Sequence, residues 1–385
     1  MERYREVKTP VRYPAHPPFS FRSLPKAGKA MHVFELTRAL VDIESITDNE
    51  AAVAAYLHDH LSALAANSGG RVEQMHVEGA RSNVLAIWGS PAVTLSTHMD
   101  TVPPFFPSRE DAEFIWGRGA CDAKGIIAAM IAAAEKLLAE RVTNFALLFV
   151  VGEERNSAGA AVAARSPRGS RFLVNGEPTG NKLALASKGA IRFEVVARGR
   201  MAHSAYPELG ESAIEALLDA LEKIRRVPLP RDPLLGPCTM NIGVISGGRA
   251  PNVIADEASA EILVRLVGDP APVRESFAAA LDVPVAAGLP RRSSPIAKAG
   301  RVELNEILCI PTMRFAAVDG LPTVVVPFTT DIPMFGRTWG EPLLIGPGDV
   351  HVAHTAEERI AKKELLDAVA IYSDMVKRLQ SRGAA

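Results

Sequence analysis

The feature that most constrains the fold is an alternation of short apolar runs with helical patterns in the first half of the chain. Apolar runs at residues 84–88, 93–97 and 145–151 predict strands, and a largely apolar helix is predicted at residues 124–140. Strands that alternate with helices predict a mostly parallel sheet with helices on both faces. The expected fold class is therefore α/β, with a three-layer domain built on that sheet.

A different order of elements begins near Ser187. The predicted elements there are a strand at 191–198, a helix at 212–225, strands at 239–246 and 257–266, a helix at 273–281 and a short strand at 283–286. This β-α-β-β-α-β order is the ferredoxin-like pattern. We interpret residues 187–295 as an inserted second domain.

The remaining segments complete the predicted organisation. The stretch 288–295, rich in Pro, Arg and Ser, is the predicted return linker. Residues 31–186 and 296–385 would then form one catalytic domain. Residues 1–30, rich in Pro and basic residues, are predicted to be a disordered leader.

Composition excludes several classes of partner. A formal net charge of −1 gives no electrostatic reason to expect nucleic acid or an anionic membrane surface as a partner. The three cysteines show no paired spacing, which favours a reducing compartment over a disulfide framework. A membrane-spanning helix needs about 18 consecutive apolar residues, and no stretch of the sequence is that long. The N-terminus lacks the apolar core of a secretory signal. We expect a soluble cytoplasmic protein.

Five polar motifs lie next to the predicted strands and helices. They are STHMDTVP at 96–103, GRGACDAKG at 117–125, GEE at 152–154, NGEPT at 175–179 and GPGDVHVAHT at 346–355. Each motif alone has an ordinary explanation, such as a capping aspartate, an acidic turn or a polar loop. In the first motif, Asp100 follows His98 by two residues, a spacing that lets a carboxylate orient a metal-bound imidazole.

Taken together, the motifs predict a metal centre. They supply five nitrogen and oxygen donors, most of them just past predicted strand ends: His98, Asp122, Glu154, Glu177 and His354. Strand ends of an open α/β sheet converge on one crevice, and imidazole with carboxylate suits zinc or a similar divalent ion. Five donors exceed the three that a lone catalytic zinc keeps, so two ions sharing a carboxylate account for the number. Charges of about +4 and −3 would favour a bound hydroxide.

The adjacent Glu153 and Glu154 form a second informative pair. Neighbouring buried carboxylates repel each other, so they require a cation or a proton. In an extended segment, the two side chains would point in opposite directions. One of them could then bind a metal ion while the other faces a bound water.

The five motifs, in this order, resemble the di-zinc metallopeptidase and deacylase family of acetylornithine deacetylase, succinyl-diaminopimelate desuccinylase, aminoacylase and carboxypeptidase G. The resemblance covers the chain from about Met31 to the C-terminus. It implies a zinc-peptidase α/β domain with an inserted ferredoxin-like lid. In this family the lid dimerises, so a homodimer is expected.

The resemblance also implies roles for individual residues. Two zinc ions, for which cobalt or manganese could substitute, would have two ligand sets: His98, Asp122 and Glu177 for one, and Asp122, Glu154 and His354 for the other. Glu153 would be the general base that takes a proton from metal-bound water. Asp100 would orient His98, and the peptide bond from Asp122 to Ala123 would be cis.

The predicted lid carries further matches and some departures. In GRMAHSAYP at 199–207, His203 resembles a histidine that family members contribute from the partner subunit to stabilise the oxyanion. Asn252, in GGRAPNVI at 247–254, and Arg265 resemble residues that grip the substrate carboxylate, a task that suits Arg. Ala255 stands where the family often has Pro, and residues 327–331 replace a commoner Gly-Thr-Ser-Asp run.

The function expected from the resemblance is removal of the acyl group from a small N-acyl amino acid, as acetylornithine deacetylase does in amino-acid biosynthesis. A dipeptidase or carboxypeptidase acting on short peptides needs the same catalytic residues and remains an alternative. A third hypothesis is a non-catalytic binding protein that retains the fold, although the sequence keeps the general base and all five metal ligands that the resemblance implies. A mononuclear zinc protease is disfavoured, because the chain lacks a helical His-Glu-x-x-His pair.

Overall fold

The computed structural model describes residues 31–283, 295–299 and 302–382. The predicted leader, nearly all of the predicted linker and most of the predicted strand at 283–286 lie outside these residues. The helices are α1 (Val33–Val41), α2 (Ala51–Ser68), α3 (Lys124–Ala139), α4 (Ala158–Ala163), α5 (Ala213–Arg225), α6 (Ala271–Ala280), α7 (Ile332–Phe335) and α8 (Lys362–Ser381), with a 3-10 helix at Pro207–Leu209.

The strands are numbered in chain order. They are β1 (Arg71–Glu78), β2 (Arg81–Trp88), β3 (Val93–His98), β4 (Arg109–Glu110), β5 (Phe114–Trp116), β6 (Phe145–Val150), β7 (Phe172–Asn175), β8 (Leu183–Ser187), β9 (Gly189–Arg198), β10 (Arg231–Asp232), β11 (Gly236–Pro237), β12 (Thr239–Gly247), β13 (Glu257–Leu266), β14 (Pro295–Ala299), β15 (Val302–Ile310), β16 (Met313–Arg314), β17 (Thr323–Val326), β18 (Glu341–Leu344) and β19 (Arg359–Ala361).

The larger sheet has the order β1-β2-β6-β3-β7-β18-β8-β16, with β17 paired to β8. Pairing is parallel among β6, β3, β7 and β18 and between β17 and β8. It is antiparallel at β1-β2, β2-β6, β18-β8 and β8-β16. The predicted mostly parallel sheet is thus a mixed sheet with a parallel centre. The two-residue turn between β1 and β2 can only join antiparallel strands.

Helices cover both faces of this sheet, so the predicted α/β three-layer arrangement is confirmed. Alternate residues of β6 show why. Phe145, Leu147 and Phe149 pack among α1, α2, α3 and α8. The intervening residues of β6 pack on the other face with α4 and α7. Because successive side chains of a strand point to opposite faces, a continuous apolar run is buried on both sides.

The second sheet is antiparallel in the order β12-β13-β9-β15-β14, and α5 and α6 cover one of its faces. The Ser212 side chain caps α5 by accepting a hydrogen bond from the backbone N of Glu215 at 3.3 Å. β15 pairs with β9 as far as Ile310, past the boundary predicted at residue 295. We therefore propose that the insert ends after Ile310.

Two smaller units complete the described part of the chain. One is the β10-β11 hairpin, and the other is a three-stranded sheet of the order β19-β5-β4. The second unit joins distant parts of the sequence, because Arg359 pairs with Trp116. Among the described residues, none of the helices combines the length and the apolar character needed to cross a membrane.

Candidate metal centre

The parallel centre of the larger sheet positions the candidate ligands. His98 is the last residue of β3, and Glu177 follows the end of β7 by two residues. Glu154 lies in the turn after β6, and His354 lies in the loop after β18. Since these four strands are parallel neighbours, their carboxyl ends meet at one edge of the sheet. Asp122 reaches the same edge from the loop before α3.

The structure brings the five residues into two groups that share one carboxylate. The groups are His98, Asp122 and Glu177, and Asp122, Glu154 and His354; within each, the donor atoms lie within 4.8 Å of one another. His98 Nε2 is 2.9 Å from Asp122 Oδ1, whereas His354 Nε2 is 3.3 Å from Asp122 Oδ2. Asp122 thus turns its two oxygens to two different imidazoles, the arrangement that a bridging carboxylate requires.

The backbone around Asp122 suits this placement. The peptide bond between Asp122 and Ala123 is cis, as predicted. The N-cap residue of α3 is Ala123, so the Asp122 carboxylate does not cap the helix, the ordinary role of an aspartate at this position. The carboxylate therefore remains available to the cluster.

Both ring nitrogens of His98 face oxygen acceptors. Nδ1 is 3.0 Å from the main-chain oxygen of Asp100 and 3.4 Å from its Oδ1, and Nε2 faces Asp122. The main-chain oxygen is the closer acceptor, so it contributes more than the predicted carboxylate contact to the orientation of the ring. Burial would lower the pKa of His98, but the carboxylates of Asp100 and Asp122 outweigh it and raise the pKa well above its ordinary value.

Charge compensation elsewhere in the cluster follows the same pattern. Hydrogen bonds to Asp122 and Glu154 raise the pKa of His354 to about 10, and its Nε2 lies 2.9 Å from Glu154 Oε1. Burial would raise the pKa of Asp122, yet the bonds to His354 and His98 lower it. Burial raises the pKa of Glu177 well above its ordinary value. In this structure the protonated imidazoles of His98 and His354 balance the negative charge of the carboxylates, a role that metal cations could take over.

These residues fit a pair of divalent metal ions. The donors are imidazole nitrogens and carboxylate oxygens, which suit zinc and similar ions. Glu177 Oε1 is buried without a hydrogen-bond partner in the described residues. A buried carboxylate oxygen in that state is costly unless a cation meets it. Glu177 would therefore gain its missing partner from a metal ion.

The segment after β6 differs from its prediction. Glu153 and Glu154 belong to a turn at residues 153–156 rather than an extended segment. Asp100 Oδ1 accepts hydrogen bonds from the backbone N of Gly152 at 3.0 Å and Glu153 at 3.1 Å, and Oδ2 accepts one from Glu154 N at 3.2 Å. Thr47 Oγ1 donates to Oδ2 at 2.8 Å. These hydrogen bonds bend the segment around Asp100. They join residues that are distant in sequence, so no local pattern predicts them.

The predicted lid residues lie apart from the metal ligands. His203 is exposed, its backbone forms a bridge with Val253, and Ser204 N donates to Asn252 O at 3.1 Å. This pairing brings His203 and Asn252 side by side. Arg265 lies in β13, paired with Thr239 of β12. In the described part of the chain, no hydrogen bond or ion pair joins these three residues to the five candidate ligands.

Two buried acidic residues near the centre were missed as contributors to it. Glu358, four residues after His354, binds the loop that carries Asp122. Asp331 is 1 % exposed, burial raises its pKa to about 7, and its charge also raises the pKa of Glu153 and Glu177. The backbone contacts of Glu358 are more than 230 positions away in sequence, so no local signal could have identified its role.

The sequence profile described as peptidase family M20/M25/M40 matches residues 94–378. A peptidase M20 domain-containing protein of Schizosaccharomyces pombe is 36% identical over 371 residues, which cover 93% of this chain and 86% of that protein. A protein of Aspergillus clavatus named probable carboxypeptidase is 34% identical over 391 residues, with 90% and 88% covered. An M20 family metallo-carboxypeptidase structure from Sulfolobus solfataricus superposes with a TM-score of 0.69 at 16% identity, covering 91% of this chain and 99% of that chain.

Proposed function

The chain belongs to peptidase family M20/M25/M40 and is thus a metal-dependent hydrolase of amide bonds, and we propose that it cleaves the amide bond beside a free α-carboxylate. The preferred substrate is a short peptide that loses its C-terminal residue. Zinc is the proposed metal, with cobalt or manganese as substitutes, and two ions are held per chain.

The observation that carries the proposal is the pair of ligand groups sharing Asp122, with Glu153 next to the ligand Glu154. Bound divalent ions would polarise the scissile carbonyl and acidify water. His98 and Glu177 would hold one ion, and Glu154 and His354 the other, with Asp122 common to both. In this arrangement Glu153 is not a metal ligand.

Glu153 is the proposed general base. Its backbone N is held by Asp100, which sets the direction of the turn. Burial, and then the charge of Glu177, raise the pKa of Glu153 well above its ordinary value. A carboxylate with a raised pKa can both accept a proton from water and return it to the leaving nitrogen. Glu153 would therefore carry both proton transfers at its carboxylate oxygens.

Substrate selection is assigned to Arg265 and Asn252. Arg265 is half-buried, burial lowers its pKa, and it has no acidic partner among the described residues. A guanidinium remains charged even so, and an unpaired, partly buried one favours a carboxylate ligand with bidentate geometry. A free α-carboxylate on the substrate would supply that ligand.

Two substrate classes present such a carboxylate. The name of the Aspergillus clavatus relative, which matches 90% of this chain, supports carboxypeptidase action on peptides. The resemblance of the five motifs to those of acetylornithine deacetylase supports a second candidate, the removal of an acyl group from an N-acyl amino acid. Both reactions use the same ligands and base, so the substrate alone separates them.

We also propose a homodimer in which His203 acts on the partner's substrate. β12 is an edge strand of the second sheet, and its Val244 and Ile245 are 53% and 59% exposed. Unpaired edge strands with exposed apolar residues are templates for pairing with another chain. His203 forms no described contact with the ligands of its own chain, which is consistent with action on another one.

A substrate panel tests the proposal. Zinc-loaded enzyme is assayed with N-blocked dipeptides, the same dipeptides as C-terminal amides, N-acetyl amino acids and unblocked dipeptides. We expect kcat/KM for the free carboxylate to exceed that for the amide by about tenfold or more, because hydrogen bonds to charged groups contribute about 1.5–3 kcal/mol.

Arg265→Gln is the matched variant in this panel. It should lower kcat/KM for the free carboxylates and leave the amides unchanged. Equal cleavage of amides and free acids by wild-type enzyme contradicts the carboxylate proposal. Cleavage of acetyl amino acids alone replaces the carboxypeptidase assignment with the deacylase one.

A further inference from the structure

Glu358 is buried at 1% exposure, and both of its carboxylate oxygens are occupied. Oε1 accepts hydrogen bonds from the backbone N of Gly119 at 2.9 Å, Asp122 at 3.2 Å and Cys121 at 3.3 Å. Oε2 lies 2.5 Å from Arg118 Nη1. Glu358 therefore has no free oxygen for a metal ion, although it lies beside the centre.

The loop at residues 117–122 is shaped around this carboxylate. Successive backbone N–H groups that turn inward form a concavity that binds an anion. Gly119 has a φ of 87°, in the left-handed region, which allows its N–H to join those of Cys121 and Asp122. A Cβ at this glycine would lie 2.8 Å from a methyl carbon of Thr101. The loop that presents Asp122 thus takes its shape from an anion supplied by Glu358.

Arg118 balances the charge of this anion. Its side chain is 2% exposed, its Nε donates to Pro104 O at 3.2 Å, and its guanidinium stacks 4.9 Å from the centre of the Phe106 ring. The pair of Arg118 and Glu358 is neutral as a whole. It can therefore hold the loop without adding net negative charge to a cluster that already contains three candidate carboxylate ligands.

Glu358 also links the loop to the segment that carries His354. Gly117 N donates to the backbone oxygen of Glu358 at 3.1 Å, and β19 begins at the next residue and pairs with β5. Two candidate ligands of one metal position, Asp122 and His354, are therefore joined through Glu358. We infer that Glu358 is a positioning residue, which holds the 117–122 loop so that Asp122 is aimed at both metal positions.

This inference rests on the proposed dinuclear centre and goes beyond it, since Glu358 is not a ligand. Residues that position metal ligands typically contribute 10–100-fold in metal affinity or activity. A merely structural ion pair would instead affect unfolding alone. The chain offers a matched control, Glu306 of β15, which forms a bidentate, partly buried pair with Arg274 of α6 at 2.6 and 2.9 Å.

The experiment measures zinc affinity of metal-free protein with a chromophoric chelator as competitor, and melting temperature of the metal-free form. Glu358→Gln keeps an acceptor for the backbone N–H groups but loses the charge opposite Arg118. We expect zinc affinity to fall by about 10–100-fold in this variant. Glu306→Gln should lower the melting temperature and leave zinc affinity unchanged.

Glu358→Asp is the second variant. It keeps the negative charge, but its side chain is one methylene shorter, so the carboxylate lies farther from the backbone N–H groups of the loop. It should also bind zinc more weakly, by about tenfold. Wild-type zinc affinity in folded Glu358→Asp or Glu358→Gln overturns the inference and leaves the proposed function intact. A wild-type protein that binds no zinc overturns the proposed function, and the inference with it.

Discussion

At the scale of single residues, the proposed centre depends most on Asp122, because its two oxygens face two imidazoles. Asp122→Ala removes a ligand from both metal positions, whereas every other ligand serves one. We expect this variant to retain less than one zinc per chain and to lose its activity, as wild-type enzyme should after chelation. Elemental analysis after gel filtration provides the measurement.

Asp349→Ala is a suitable control, because Asp349 lies in the same loop as His354 but outside both ligand groups. It should keep two zinc ions per chain. A wild-type enzyme that is fully active with a single zinc ion would contradict the dinuclear arrangement.

Glu153 allows the proton-transfer role to be separated from metal binding. Glu153→Gln should lower kcat by about 10²–10⁴-fold, the usual contribution of general acid–base catalysis, while zinc content stays at two. Glu154→Gln should lose zinc, because Glu154 belongs to a ligand group and Glu153 does not. Near wild-type kcat in Glu153→Gln would remove it as the base.

The raised pKa of His354 predicts that apparent zinc affinity depends on pH. In the metal-free protein the pKa of His354 is raised from 6.5 to about 10, so zinc must displace a proton from it near neutral pH. Apparent zinc affinity should rise with pH by about tenfold per unit for each proton displaced. Titrations at several pH values between 6 and 8 measure this slope, and a flat profile would refute it.

The same shift has a consequence for stability with a definite sign. A folded-state pKa raised above the unfolded value stabilises the metal-free protein fully below the unfolded pKa of 6.5 and loses this contribution as pH rises through about 10. The contribution of His354 should therefore decrease over that window. Comparing metal-free wild type with His354→Ala by thermal unfolding isolates it.

At the scale of elements, strand direction determines which side chains meet. β6, β3, β7 and β18 are parallel, so the residues after their carboxyl ends share one edge. Buried carboxylates then shape the loops, with Asp100 binding the turn after β6 and Glu358 binding the loop before α3. The centre is thus assembled from strand ends and held by side chain to backbone hydrogen bonds.

The edge strand β12 carries a prediction of its own. Val244→Lys places a charge on an exposed apolar position of this edge and should prevent pairing with a second chain. We expect this variant to be a monomer in analytical ultracentrifugation and the wild type to be a dimer. Leu366→Lys, at a 48% exposed position on α8, is the control and should remain dimeric. A monomeric wild type would contradict the homodimer.

At the scale of the whole molecule, the candidate site residues lie in two groups, one beside each of the two main sheets. The candidate metal ligands and Glu153 lie at one edge of the larger sheet. Arg265 lies in the smaller sheet, and His203 and Asn252 lie in loops beside it. If His203 acts across a dimer, inactive Glu153→Ala and His203→Ala chains should regain part of the activity in mixed dimers. A verified heterodimer without activity would place His203 within its own chain's site or outside catalysis.

The sequence by itself determined the α/β class and the residues proposed as ligands. Both signals are local: apolar runs predict buried strands, and His98 and Glu177 stand directly at or after the ends of two of them. The cis bond after Asp122 was predicted from the motif resemblance and is present in the structure.

Only the tertiary structure decided how distant segments pair. The antiparallel pairing of β2 with β6 and the extension of the second sheet to Ile310 depend on which strand lies alongside, and that choice leaves no local pattern. Glu358 contacts Gly119 across 239 positions of sequence, and Asp100 bends a turn 52 positions away at Gly152. Such hydrogen bonds form because the fold buries a carboxylate beside unpaired backbone N–H groups, and only the folded chain brings the two together.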